Sequence, residues 1–259
     1  RLPDCIIIGV RKGGTRAVLR FLRFHPDVKG VSQEVSFFSS DEAYDQGINW
    51  YLKQLPPVGP DKVLMEKSAE YFHHSYVPER VFKTQPKMKL ILVVRDPYER
   101  LVSDYFFLQR FAKMINYTYP FEEVNHTLEE LCIDEATGKV KGYGGIHRSK
   151  YAHHTEYWLK YFSLKQIHIV NGDEIAKDNP FKELKKIETF LGLKPYFKDE
   201  FFFFNSTKGF YCSTIGGCLD EEKGHSHPVF DPKFENAVRS YLKPHNERFY
   251  EMVGRNFHW

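Results

Sequence analysis

Residues 9–16, Gly-Val-Arg-Lys-Gly-Gly-Thr-Arg, place three glycines, three basic side chains and a threonine directly after the apolar run Cys5–Ile8. Between a strand and a helix, such a loop is suited to holding an anion: its backbone amides can cradle negative charge, and the helix dipole favours it. Gly9 and Gly14 have the G-x-x-x-x-G spacing of a P-loop, but a Walker A loop would continue with Lys and then Ser or Thr. Here Thr15 follows at once, and the lysine, Lys12, lies inside the loop. A further basic group, Arg95, follows the apolar run Leu90–Val94, where a P-loop ATPase often carries a magnesium-holding carboxylate. Asp96 beside it reads as a helix N-cap, with Pro97 at the first helical position and Glu99 completing a capping box. The combination points to phosphate held by arginine and backbone amides, without a metal. A glycine-rich turn with solvated basic residues, or a P-loop kinase, is the competing reading.

For these groups to share one rim, the strands must run parallel. Cys5–Gly9, residues 62–68, Leu90–Val94 and residues 166–175 read as strands, the first being the short continuous apolar run expected of a strand buried on both faces. From Thr15 a helix places Ala17, Phe21 and Phe24 on one face and Arg16, Arg20 and Arg23 on another, and His25-Pro26 ends it. Further helices read from residue 77 with Pro78 near the start, from Asp96, over 179–192 with Gly192 as the stop, and from Asp231 as one or two terminal helices. This alternation implies an α/β fold, a doubly wound parallel sheet flanked by helices. Ligands in such sheets sit at the carboxyl ends of the strands, where both the Gly9–Arg16 loop and Arg95 fall. Residues 110–150 read as an excursion from the sheet, so the chain, 1–259, is taken as a single domain.

Composition agrees. The chain has 259 residues and is 42% apolar, enough for a full core. A net charge of +3 is too small to imply nucleic-acid binding by itself. No apolar stretch approaches the roughly 20 residues needed to span a bilayer, so membrane attachment is expected only through an anchor ahead of Arg1. Of the four cysteines, Cys212 and Cys218 flank a Gly-Gly turn and read as a small disulfide loop, with a zinc site using His225 and His227 as the alternative. Cys5 reads as core. Sequons at Asn116, Asn125 and Asn205, with a disulfide, favour a secretory lumen and a glycoprotein.

A sulfuryl group carries less charge than a phosphoryl group, so cationic side chains and amides can stabilise its transfer without magnesium. Here the sequence resembles the sulfotransferases that use 3′-phosphoadenosine 5′-phosphosulfate (PAPS), and within them the heparan sulfate glucosamine 3-O-sulfotransferases. The resemblance covers nearly the whole chain: IIIGVRKGGTRA, VRDPYERLVSDY, FFNSTKGFYC, CL…KGHSHP and VGRNFHW. It implies a P-loop-like, nucleotide-kinase-like sulfotransferase fold. It also implies that Arg11, Lys12, Gly13, Gly14, Thr15 and Arg16 wrap the 5′-phosphosulfate, with Lys12 neutralising the bridging oxygen as the bond to sulfur breaks. Arg95 and Ser103 would hold the 3′-phosphate, Phe204 would line the nucleotide pocket, and Lys223, Gly224, His225, Ser226 and His227 would close over the donor. Glu34 matches the catalytic base, Lys67 a lysine beside the reacting centre, and Trp158 an acceptor-side residue. The Cys212–Cys218 disulfide is also a family feature. The product would be 3′-phosphoadenosine 5′-phosphate (PAP), the acceptor heparan sulfate or a related sulfated polysaccharide, the setting the Golgi lumen, and the enzyme a monomer.

The acceptor side departs from the family pattern. Ser36 and Ser39 stand where Glu-x-His-Phe-Phe-Asp would place histidine and aspartate. The family's Lys-Thr-Pro-Ala is here Lys67-Ser68-Ala69-Glu70, which adds a carboxylate, and Phe107 replaces a glutamine. Three outcomes follow: ordinary 3-O-sulfation, transfer to another heparan hydroxyl such as one on the uronic acid, or donor and glycan binding without transfer.

Overall fold

The computed structural model describes residues 1–31, 33–114, 122–218 and 228–259. The Asn116 sequon and the segment Lys223–His227 lie outside the described residues. In chain order the structure has β1 (Cys5–Gly9), α1 (Thr15–Leu22), β2 (Val28–Gly30), α2 (Asp41–Asp45), α3 (Ile48–Gln54), β3 (Val63–Lys67), α4 (Val77–Thr84), β4 (Lys89–Val94) and α5 (Pro97–Met114). It continues with α6 (Glu122–Asn125), α7 (Leu128–Cys132), α8 (Gly144–Arg148), α9 (Tyr151–Leu159), β5 (Ile167–Asn171), α10 (Gly172–Lys177), α11 (Phe181–Leu191), β6 (Phe202–Asn205), β7 (Phe210–Ser213) and α12 (Pro232–Val253). These elements fall into two compact units, Arg1–Arg95 with Glu156–Gly224, and Asp96–Thr155 with His225–Trp259.

The first unit holds a five-stranded sheet in the order β2-β3-β1-β4-β5, with every pairing parallel. From β1 the chain goes to one side, then crosses back over β1 to reach β4. The reversal lies between β1 and β4, where open α/β sheets bind ligands. Ile7, Ile91 and Val93 from the strands pack with Val18 and Leu22 of α1 and with Leu184 and Ile187 of α11. Each such side chain contributes about 1.5–3 kcal/mol on burial. In sum this holds a sheet whose strands are only three to six residues long.

Several boundaries differ from the sequence reading. Residues 166–175 do not form one strand: β5 ends at Asn171, whose side chain accepts from Asp173 N at 3.0 Å and caps α10. The three-residue β2 and the antiparallel β6–β7 hairpin were not anticipated. Other signals hold. Gly192 ends α11 at φ 76, Asp96 Oδ1 accepts from Tyr98 N at 2.8 Å and caps α5, and Asp231 caps a single terminal helix that runs through Pro244.

The second unit has its own apolar cluster, in which Leu101, Val102, Leu128, Cys132, Ile146, Val238 and Leu242 are buried. Part of the polar stretch 110–150, namely α6 to α8, therefore packs around α5 and belongs to a core.

Candidate active site

The loop between β1 and α1 is held by backbone packing. Val10 N donates to Val93 O of β4 at 2.8 Å, and Gly13 N donates to Val10 O at 2.9 Å. A Cβ on Gly13 would lie 2.4 Å from Val93 O, and one on Gly172 would lie 2.0 Å from Gly13 O. Only glycine fits at these two contacts, so the loop is pressed onto the carboxyl ends of β4 and β5. Gly172 is a part of this cradle that the sequence reading missed; the Asn-Gly following an apolar strand is the signal that could have found it. Lys12 has φ 69 and Gly14 φ 103, left-handed conformations of the kind that concave anion-binding loops use.

Helix α1 has Gly14 at its N-cap, so no side-chain cap, and no acidic residue in its first turn, while Arg16 lies there, exposed. A cation at the positive end of a helix is unfavourable unless an anion sits there too. The local sequence is thus arranged for an anionic ligand. Arg11 reaches Glu70 Oε1 at 2.9 Å.

Arg95 follows the last residue of β4, as expected, with Nε 3.7 Å from Asp173 Oδ1. Ser103 is buried on α5 in the second unit. Phe204 is half exposed on β6, with its ring centroid 5.5 Å from that of Tyr211 in an edge-to-face contact. Cys212 and Cys218 form the disulfide, so the zinc alternative for this pair falls away. Cys5 and Cys132 are free thiols and buried, and burial pushes the Cys132 thiol up to about 12.

Glu34 and Lys67 meet at the carboxyl end of the sheet. Lys67 closes β3 and donates to Glu34 Oε1, while Ala69 N donates to Glu34 Oε2 at 2.9 Å. The lysine side chain is 6% exposed and that of the glutamate 37%. An ionised carboxylate has about four acceptor sites, so a fixed Glu34 can still receive a proton from an approaching hydroxyl. Strand β3 pairs directly with β1, with Lys67 opposite Ile7, so this pair and the Gly9–Arg16 loop leave adjacent strands at the same end.

The rest of the rewritten acceptor segment splits between surface and interior. Ser68 is fully buried: it donates to Glu66 Oε1 at 2.5 Å and accepts from Ser36 N at 3.0 Å. Its hydroxyl points into the sheet and positions the Glu34 loop from below. Ser36 adopts φ 55, and Ser39 Oγ donates to Ser36 O at 3.2 Å, so the two serines close a local turn. Ala69 acts through its backbone N–H, and Glu70 stands at the surface between Arg11 and His73, 3.5 Å from the latter. Phe107 stacks on Phe111 along α5. Trp158 is 1% exposed and donates from Nε1 to Phe72 O at 3.1 Å, so its polar edge is satisfied internally.

Glu66 is the residue in this region that the sequence did not single out. It is completely buried and also accepts from Tyr51 Oη at 3.0 Å. Burial pushes its carboxyl up to about 7, against the lowering effect of the hydrogen bonds from Ser68 and Tyr51, with a further upward push from Glu34. Because the folded value lies above the ordinary 4.5, the folded protein holds a proton that the unfolded chain releases. The contribution is present below about pH 4.5 and is lost as pH rises toward 7. Glu66→Gln is therefore expected to flatten the fall in unfolding free energy over that window, by up to roughly 3 kcal/mol. Urea unfolding across a pH series reads this, and an unchanged slope would refute it.

The glycine-cradled Gly9–Arg16 loop and the Glu34–Lys67 pair thus sit at the ends of adjacent parallel strands. The chain belongs to the sulfotransferase domain family, which matches residues 2–258. Heparan sulfate glucosamine 3-O-sulfotransferase 5 from Mus musculus is 41% identical over 264 residues, covering 100% of this chain and 74% of that protein, and the Homo sapiens enzyme gives the same figures. The Homo sapiens 3-O-sulfotransferase 3B1 is 39% identical over 267 residues, with 65% of its length covered. Among solved structures, a sulfotransferase from Alicyclobacillus acidocaldarius superposes with a TM-score of 0.72 at 19% identity, over 99% of this chain and 98% of that one. Mouse SULT7A1 complexed with PAP gives a TM-score of 0.50 at 18% identity, over 100% and 87%. These two likenesses carry the fold, and the family and fold read from the sequence are confirmed.

Proposed function

We propose that the protein transfers a sulfuryl group from PAPS to a hydroxyl of a heparan-sulfate-type polysaccharide, with glucosamine O3 as the acceptor atom. The observation that carries this is the Glu34–Lys67 pair at the end of β3 beside the Gly9–Arg16 loop at the end of β1, in a chain 41% identical to 3-O-sulfotransferases of that class. The donor supplies the activated sulfur. Glu34 takes the proton of the attacking hydroxyl as its oxygen bonds to sulfur. Lys67 holds Glu34 in place, and Lys12 with the loop amides balances the charge left on the departing phosphate oxygen. The work takes place in the lumen of the secretory pathway, where the Cys212–Cys218 bridge persists. No described helix is long and apolar enough to cross a membrane.

The second reading, transfer to a neighbouring hydroxyl, is favoured by one observation: Ser36 and Ser39 close their own turn, leaving Glu70 as the added charge on the acceptor side. Positioning errors of about 1 Å cost roughly a hundredfold in rate, so such changes select which hydroxyl reacts. Sulfating defined heparan oligosaccharides with PAPS and locating the new group by NMR tests both. Sulfate at glucosamine O3 supports the first reading, sulfate on the uronic acid the second, and no transfer sinks the proposal.

Arg95 is assigned to the 3′-phosphate. Arg95→Ala should weaken binding of PAP by roughly 10- to 150-fold, the value of a charge-assisted contact, and leave adenosine 5′-phosphate, which lacks that group, nearly unaffected. Calorimetric titration with both nucleotides reads the difference, and equal losses would overturn the assignment.

A further inference from the structure

We propose that Glu70, His73 and His74 form a binding site for a divalent transition-metal ion, with zinc the best match. One ligand atom from each of the three lies within 4.8 Å of the others. The short 3₁₀ turn Tyr71–His73 produces this arrangement, since side chains at i and i+3 eclipse in that geometry and Glu70 caps the turn. Glu70 Oε2 lies 3.5 Å from His73 Nε2. Zinc with ligands at about 2.0–2.1 Å in a tetrahedron separates them by roughly 3.3 Å. The His73 and His74 rings lie side by side, with centroids 4.2 Å apart and planes inclined by 34°.

A separate observation concerns the carboxylate. Its other oxygen, Oε1, sits 2.9 Å from Arg11 Nη1. Ligating carboxylates are characteristically fixed by such an outer hydrogen bond, which orients the coordinating oxygen. Two imidazoles and one carboxylate suit zinc, whereas magnesium and calcium call for oxygen ligands throughout. Three protein ligands leave a coordination position for water or an anion.

The test uses the whole chain, stripped with a chelator and titrated with zinc chloride by calorimetry without donor or acceptor, so its result is independent of the proposed transfer. One saturable zinc per chain is expected. The double variant His73→Ala/His74→Ala should lower the affinity at least tenfold, and Glu70→Gln should lower it too. His147→Ala/His153→Ala, in a separate histidine group with ring centroids 5.2 Å apart, should retain the wild-type value. Cobalt substitution on the unaltered protein gives a readout that no variant can confound: visible bands of nitrogen and oxygen ligation without a thiolate charge-transfer band. Absence of saturable binding, unchanged affinity in the His73/His74 variant, loss of affinity only in the His147/His153 variant, or a thiolate band would each overturn the proposal.

Discussion

Glu34→Gln should reduce turnover by about two orders of magnitude or more while leaving PAP affinity little changed, the loss typical of removing a general base. The substitution keeps size and one acceptor oxygen, so the contact from Ala69 N can persist. What it removes is the capacity to take a proton and the charge facing Lys67, a lysine almost wholly withdrawn from solvent. The contacts that press the Gly9–Arg16 loop into place come from β4 and the start of α10, so nucleotide binding serves as the internal control. Initial-rate sulfate transfer and PAP calorimetry on the same preparation separate the two effects. A variant with near-wild-type turnover would remove Glu34 from the mechanism. A variant that loses PAP binding in parallel would show that its role is to hold the loop.

Arg100→Met should destabilise the protein by about 3 kcal/mol, the scale expected when one partner of a buried ion pair is deleted. Arg100 is 1% exposed inside the second unit. Its guanidinium donates to Ser149 Oγ at 3.0 Å from Nε, to Asp104 Oδ2 at 3.1 Å and to Gly145 O at 2.6 Å. These bonds tie α5 to α8 and the residue that follows it. Methionine fills similar volume and so isolates the electrostatic cost: Asp104 stays buried, with Arg148 at 3.8 Å as its remaining cation in this group. Denaturant unfolding measures the change. A loss under about 1 kcal/mol would mean that the apolar cluster, and not the guanidinium, holds these helices together.

Arg100 also marks where the sequence stops being informative. It lies within the segment VRDPYERLVSDY that carried the resemblance, yet nothing in its spacing distinguishes a buried arginine bonded to three partner residues from a solvated one. Glu66 is similar: a charged residue inside a strand reads as solvent-facing until Tyr51 and Ser68 are seen to enclose it. Both depend on partners from other elements, as far as 49 residues away for Arg100 and Ser149.

The sequence by itself determined the parallel α/β class, the anion loop, the caps at Asp96, Gly192 and Asp231, and the sulfotransferase family. The family came from a resemblance spread over nearly the whole chain; the others are local chemistry: apolar runs that must be buried on both faces, glycines in a turn, and side chains that bond amides two or three residues away. The Cys212–Cys218 pairing was legible for the same reason, with a sequence separation of only 6 between the partners. Tertiary structure decided what the acceptor segment presents. It turned Ser68 inward, buried Trp158, and brought Glu34 to Lys67 across a separation of 33 residues. The loop after β2 has no helical or strand period to fix its side-chain directions, so those directions are set by the non-local groups it packs against.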